Sequence, residues 1–166
     1  MRDRILEALS ASPDLVVTFL LSMLPIFELR GSIPYAIAVG VPWPTAFVVS
    51  VVGNFLAVIP IVYLIGPVSE WLRRWDLFDR FFDWLFARTR RKGKLIERWE
   101  MLGLILFVAI PLPITGAWTG SVAAFIFGIR KPMALLALLT GILIAGTVVT
   151  LATTGVIGVL GLHPGK

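Results

Sequence analysis

The sequence contains no cysteine and only one histidine, His163, close to its C-terminal end. Without cysteine there is no disulfide framework, thiol nucleophile or thiolate metal site. A lone histidine in a polar tail reads as a solvated residue rather than a ligand. Charge is scarce as well: Asp, Glu, Lys and Arg make up 15% of the 166 residues, and most of them crowd the middle of the chain. Between Leu15 and Ser69 the only charged residues are Glu28 and Arg30, and between Met101 and Leu162 only Arg130 and Lys131. No nucleophile–base pair and no metal-ligand cluster stands out, so neither an enzyme nor a cofactor or metal site is expected.

What the chain has instead is apolar length. Hydrophobic residues make up 58% of it and the mean hydropathy is +0.92, above the norm for soluble domains. Uncharged apolar runs of this extent are membrane segments. The expectation is an all-α, multi-pass integral protein of the cell membrane, forming a single membrane domain over residues 1–166. Arg2, Arg4 and the small residues Ser10-Ala11-Ser12 faintly imitate a signal peptide, but they precede the long apolar run instead of following it. Residues 1–12 therefore read as a retained amphipathic lead-in.

In chain order, Leu15 to Leu24 would make a helix about 15 Å long, half a bilayer core. Pro25 interrupts it, and Gly31 and Pro34 are expected to prevent a continuous helix through the motif Pro25-Ile26-Phe27-Glu28-Leu29-Arg30-Gly31-Ser32-Ile33-Pro34. A short apolar piece, Tyr35 to Val41, leads to an interface-like turn, Pro42-Trp43-Pro44. Thr45 to Gly66 is the first full span, with Gly53 and Ala57 offering a close-packing face and Pro60 a place to bend. Met101 to Ile110 is again short and apolar. It is followed by a second broken motif, Pro111-Leu112-Pro113-Ile114-Thr115-Gly116-Ala117-Trp118-Thr119-Gly120-Ser121, a turn at Arg130-Lys131-Pro132, and a second span from Met133 to Leu162. Ala137, Gly141 and Ala145, spaced by four, form its packing stripe.

The middle of the chain differs. Trp71, Trp75, Phe78, Phe82 and Leu85 recur at spacings of three and four among charged residues, the pattern of an amphipathic helix lying in a membrane interface. Arg88, Arg90, Arg91, Lys92 and Lys94 follow. A basic run can suggest nucleic acid, but beside membrane spans it reads as a cytoplasmic loop attracted to anionic headgroups. No nucleic-acid partner is expected.

The two halves share a layout. Pro25 matches Pro111, and after a two-residue insertion Gly40, Pro44 and Gly53 match Gly128, Pro132 and Gly141. Repeat one covers residues 13–67, the linker 68–100 and repeat two 101–162. If each broken element is a re-entrant hairpin returning to its own side, both basic segments share the cytoplasmic face, as the positive-inside rule prefers. Each half then crosses an odd number of times. The fold expected is two inverted repeats, each a re-entrant helical hairpin followed by a transmembrane helix, joined by the interfacial helix. Secondary transporters use such broken helices, meeting at the midplane, to build their sites.

Charge at membrane depth costs about 2.5–3.5 kcal/mol per residue, which makes an intramembrane acid or base a functional candidate. Glu28 and Arg30 could pair to pin the hairpin tip. Alternatively, Arg30 holds an anionic headgroup while a desolvated Glu28 exchanges a coupling proton, with Ser32 and Tyr35 adding hydrogen bonds. The second motif is uncharged. Thr115, Thr119 and Ser121 carry hydroxyls, and a half-helix starting near Trp118 would aim unpaired N–H groups at the site. Gly116 and Gly120 permit close backbone approach. These small residues could equally serve only to let two hairpins pack.

The segments Glu28 to Pro34 and Ile110 to Gly120 resemble the two signature motifs of the putative small multidrug export protein family, and the resemblance covers nearly the whole chain. Ile114 stands where that motif has a glycine. At a greater distance the layout resembles the DedA (VTT-domain) membrane proteins, with Glu28 as the acidic residue and Arg30 as a basic one. The second DedA arginine cluster has no counterpart in residues 111–121. The first resemblance implies drug efflux and the second implies ion-coupled translocation of lipids such as polyprenyl phosphates.

Three readings follow. One is proton- or sodium-coupled translocation of an anionic amphiphile such as a lipid phosphate. The second is export of cationic lipophilic compounds with Glu28 as the counter-charge. The third is a non-transporting membrane scaffold. Membrane lipids, a small amphiphilic substrate, a coupling ion and a second copy of the chain are the partners expected, because two spans and two hairpins are few to seal a pathway.

Overall fold

The computed structural model describes residues 12–72, 94–110 and 116–159. The described residues form six helices: α1 (Ser12–Met23), α2 (Glu28–Ala38), α3 (Trp43–Leu72), α4 (Lys94–Ala109), α5 (Ala117–Ile126) and α6 (Lys131–Val159). The aromatic helix and basic cluster expected at 73–93 lie outside them, as do Thr115 and His163. Two helices are long and apolar enough to cross a membrane, Trp43–Trp71 and Lys131–Val156. The shorter apolar stretches Pro13–Met23, Trp99–Ala109 and Ala117–Ile126 each fall well short of a bilayer core of about 30 Å.

Helix α1 opens with Pro13, whose missing N–H is no loss in a first turn, and with Asp14 at the positive end of the helix dipole. Two of its hydroxyls are satisfied within the helix. Thr18 Oγ1 donates to the Asp14 carbonyl at 2.7 Å and Ser22 Oγ to the Phe19 carbonyl at 2.6 Å, as hydroxyls in an apolar setting require. Pro25 disfavours helical geometry at Leu24, and the chain turns through Leu24 to Phe27.

The break then ends sooner than expected. Helix α2 starts at Glu28 and runs unbroken through Gly31 and Pro34. Gly31 is a packing residue here, because a Cβ on it would lie 2.8 Å from the Phe27 ring, which folds back over the first turn. Pro34 removes one backbone bond without ending the helix, a loss that protein neighbours and hydroxyls commonly absorb in membrane helices.

Helix α2 ends in a Schellman turn with Gly40 at φ +93°. Gly40 N–H donates to the Ile37 carbonyl at 3.1 Å and Val41 N–H to Ala36 at 2.9 Å. The same bonds recur 88 residues later: Gly128, at φ 70°, donates to Phe125 and Ile129 donates to Ala124. The flanking bonds Val39 to Tyr35 and Ala46 to Pro42 recur as Phe127 to Ala123 and Ala134 to Arg130.

The chain divides into two compact units. The first comprises Met1–Leu56 and Ile142–Lys166. In it α1 packs on α2, and Leu29, Ile33, Ala36, Val51 and Ile142 are buried. Gly146 lets α6 approach the Phe47 ring, which a Cβ would meet at 2.9 Å. The second unit is Ala57–Gly141. In it α4 packs on α5, and Val58, Leu104, Val108, Ala137 and Leu138 are buried.

Small residues set the close contacts in both units. A Cβ at Gly53 would overlap Ser22 Oγ and lie 2.9 Å from the Phe19 carbonyl; one at Gly141 would lie 2.7 Å from Val108 Cβ and 3.1 Å from the Ile105 carbonyl. Ser22 and Val108 are 86 residues apart, as are Phe19 and Ile105. The two glycines therefore sit on equivalent turns of α1 and α4.

Candidate functional site

Helix α2 carries four of the sequence candidates, and helical geometry sorts them by face. At about 100° per residue, Glu28, Ser32 and Tyr35 share one face, while Arg30 lies about 200° around from Glu28. Ser32 is fully buried, Glu28 is 7% exposed, and Tyr35 and Arg30 are half-buried. The carboxylate and guanidinium feel each other electrostatically.

The Ser32 hydroxyl donates to Ser50 Oγ on α3 at 2.8 Å. One turn before Ser32 is Glu28, and one turn beyond Ser50 is Asn54, so both sit on the side of that bond away from the connecting turn. Asn54 is 1% exposed, and its Oδ1 has no hydrogen-bond partner among the described residues. A buried acceptor without a donor is costly, on the order of 1–3 kcal/mol. Asn54 and Ser50 are the residues that sequence reasoning missed. The signal was present as two polar residues four apart on one face of an otherwise apolar span.

Glu28 also has an unusual backbone, φ 45°, in the left-handed region. A non-glycine residue there costs roughly 1–2 kcal/mol and recurs at functional positions. The bend places the carboxylate at the first position of α2, where the orphan N–H groups of the helix start favour negative charge. Tyr35, on the same face two turns on, reaches α1. Its hydroxyl lies 3.5 Å from Asp14 Oδ1, towards which it donates.

The candidates of the second motif fall in the second unit, and Thr115 is outside the described residues. Helix α5 starts at Ala117 with Gly116 as an extended N-cap, φ −169°, near Trp118 as expected. Thr119 Oγ1 accepts from Gly116 N–H at 3.0 Å and donates to the Gly116 carbonyl at 3.2 Å, so it caps the helix start. Ser121, 1% exposed, donates to the Ala117 carbonyl at 2.7 Å. Trp118 is half-buried. Gly120 fits against Val108 and Leu138, whose Cδ2 a Cβ would meet at 3.1 Å.

At the positions equivalent to Ser32, Ser50 and Ser22 stand Gly120, Leu138 and Val108. The polar contact of the first unit is thus replaced by apolar packing in the second. Ser121 also lines a small cavity of about 170 Å³ with Val62 and Lys131, and the Lys131 ammonium stacks 5.2 Å above the Tyr63 ring.

The polar column Glu28, Ser32, Ser50 and Asn54 can hold one positive charge or one proton in an apolar interior. Among the described residues no cluster of three or more metal-ligating side chains occurs. A family model described as "Putative small multi-drug export protein" matches residues 28–148, a span that begins at Glu28 and takes in both motifs. No curated protein and no solved structure matches the chain.

Proposed function

Because the chain belongs to the family of putative small multi-drug export proteins, we propose that it exports small cationic lipophilic compounds across the membrane, with Glu28 as the carboxylate that alternately carries cargo charge and a coupling ion. The observation that carries this reading is the placement of Glu28: buried, left-handed and level with an unsatisfied Asn54 acceptor. Charge at that depth is expensive, which favours a carboxylate that alternates between a cation and a proton. When a cation leaves, a proton would take its place on the carboxyl. Proton or sodium coupling follows from the same geometry, the proton being the simpler fit to one carboxylate and one amide.

Translocation of an anionic amphiphile such as a lipid phosphate is the second reading. Its support is Arg30, half-buried on the opposite side of α2 and geometrically suited to a phosphate. The family's description favours drug export over it.

The topology that fits this reading is two inverted repeats, each with a re-entrant pair of short helices and one spanning helix. The 68–100 linker would be interfacial and cytoplasmic, and two copies of the chain would line the pathway. Purified protein in liposomes tests the function. Uptake of a labelled lipophilic cation that is lost in Glu28→Gln and kept in Arg30→Ala is expected. Flux of a lipid phosphate lost in Arg30→Ala would shift the reading to the second, and no flux of either would leave a scaffold.

A further inference from the structure

The 170 Å³ cavity of the second unit is lined by Val62 and Gly66 of α3, Ser121 and Phe125 of α5, Ile129 in the turn after α5, and Lys131 at the start of α6. Apart from Lys131 and the Ser121 hydroxyl its walls are apolar, and that hydroxyl is spent on the Ala117 carbonyl. Gly66 faces open space, since a Cβ there would meet nothing within 4 Å. Lys131 and its neighbour Arg130 are both exposed. Stacking on Tyr63 holds the Lys131 ammonium in place without neutralising it. Among the described residues neither cation forms an ion pair. The two residues stand at the start of the spanning helix Lys131–Val156, the level at which lipid phosphates lie.

Cavity and cations both belong to repeat two. At the offset of 88 residues that relates the Gly40 and Gly128 turns, Arg130 and Lys131 correspond to Pro42 and Trp43. Ser121, Phe125 and Ile129 correspond to Ile33, Ile37 and Val41, three apolar side chains that are all buried. Phe125 and Ile129 are only half-buried. Serine in place of isoleucine gives up side-chain volume in the same repeat whose turn gains two cations.

We propose that the cavity and the Arg130-Lys131 turn form a site for one anionic phospholipid, its phosphate at the two cations and the start of an acyl chain in the cavity. Size and charge select this ligand. The cavity is smaller than the roughly 300–1,000 Å³ of small-molecule sites, and close to the apolar cavities of about 150 Å³ that take a benzene-sized group. It therefore suits a segment of a chain better than a whole drug. Two cations beside it call for an anion attached to that segment. A zwitterionic headgroup brings a positive charge of its own to the turn and gains less. A free phosphate leaves the apolar walls uncovered. In the topology proposed above the turn is cytoplasmic, so the lipid comes from that leaflet. It is a resident lipid rather than cargo, and the assignment does not depend on the export reading.

Native mass spectrometry of the purified full-length protein, titrated in detergent with dioleoyl phosphatidylglycerol or dioleoyl phosphatidylcholine, counts the bound lipid. The wild type is expected to retain one phosphatidylglycerol at a concentration roughly tenfold or more below that needed for phosphatidylcholine. The double variant Arg130→Gln/Lys131→Gln should bind the two lipids alike. Gly66→Leu fills space that no protein atom occupies within 4 Å and should weaken phosphatidylglycerol binding roughly fivefold or more. An unchanged melting midpoint in lipid-free detergent establishes that each variant is folded. The wild-type comparison needs no variant, and either folded variant decides the rest. Equal retention of both lipids by the wild type overturns the assignment. So does an undiminished preference in the folded double variant, which would move it to other basic residues, or undiminished retention in folded Gly66→Leu. Displacement of the lipid by an equal concentration of glycerol 3-phosphate also overturns it, leaving a site for free phosphate.

Discussion

Ser32 on α2 and Ser50 on α3 are hydroxyl to hydroxyl at 2.8 Å, and neither has measurable solvent exposure. In an apolar interior such a pair joins two helices at one level, and it fixes which residues stand above it. Glu28 and Asn54 occupy the next turns on the same side, which is why a glutamate that looks isolated in the sequence has a polar environment in the fold.

That bond is open to a double-mutant cycle. Ser32→Ala and Ser50→Ala should each destabilise the protein, and the double variant should lose less than their sum. A coupling of about 0.5–1.5 kcal/mol is expected from denaturation in mixed micelles. Strict additivity would show that the pair contributes no shared bond.

The glycines divide into two groups that unfolding can separate. Gly53→Ala and Gly141→Ala drive a methyl into Phe19 and Ser22 in one case and Val108 in the other, and should cost about 1–3 kcal/mol each. Gly66→Ala and Gly155→Ala meet nothing within 4 Å and should be neutral or stabilising by up to about 1 kcal/mol, the helix-propensity gain. Equal effects across the four would contradict the packing described.

Glu28 separates stability from function. Asparagine accepts a positive φ more readily than glutamate does, so Glu28→Asn should melt no lower than the wild type while transport is lost. If Glu28 instead only pins the fold through a buried ion pair, the same substitution should cost on the order of 3–5 kcal/mol. Thermal melting followed by intrinsic fluorescence distinguishes the two.

Much of this was legible in the sequence. The membrane class, both long helices and the paired short helices follow from apolar run lengths and from glycine and proline placement, whereas the turns expected at Pro42-Trp43-Pro44 and Arg130-Lys131-Pro132 close slightly earlier, at Gly40 and Gly128. Local rules failed at α2, where Gly31 and Pro34 suggested a break. Gly31 is small because Phe27 folds over it, and a proline in an apolar setting need not end a helix. The candidate site was half visible. Glu28 and Ser32 stood out as polar residues in a motif, whereas Asn54 and the pairing of Tyr35 with Asp14 depend on how helices distant in sequence come together. That register is not written in any one segment.

The layout of the repeats has a direct check. Single cysteines replacing Trp43 and Lys131, in a chain without native cysteine, should label from opposite sides of the membrane. Labelling of both from one side would contradict the re-entrant arrangement and its inverted repeats.

Cation-dependent proton movement in proteoliposomes loaded with a pH-sensitive dye measures the central claim. Adding tetraphenylphosphonium should drive proton flux in the wild type and in Arg30→Ala, and none in Glu28→Gln. Undiminished flux in folded Glu28→Gln would contradict the role assigned to this buried carboxylate.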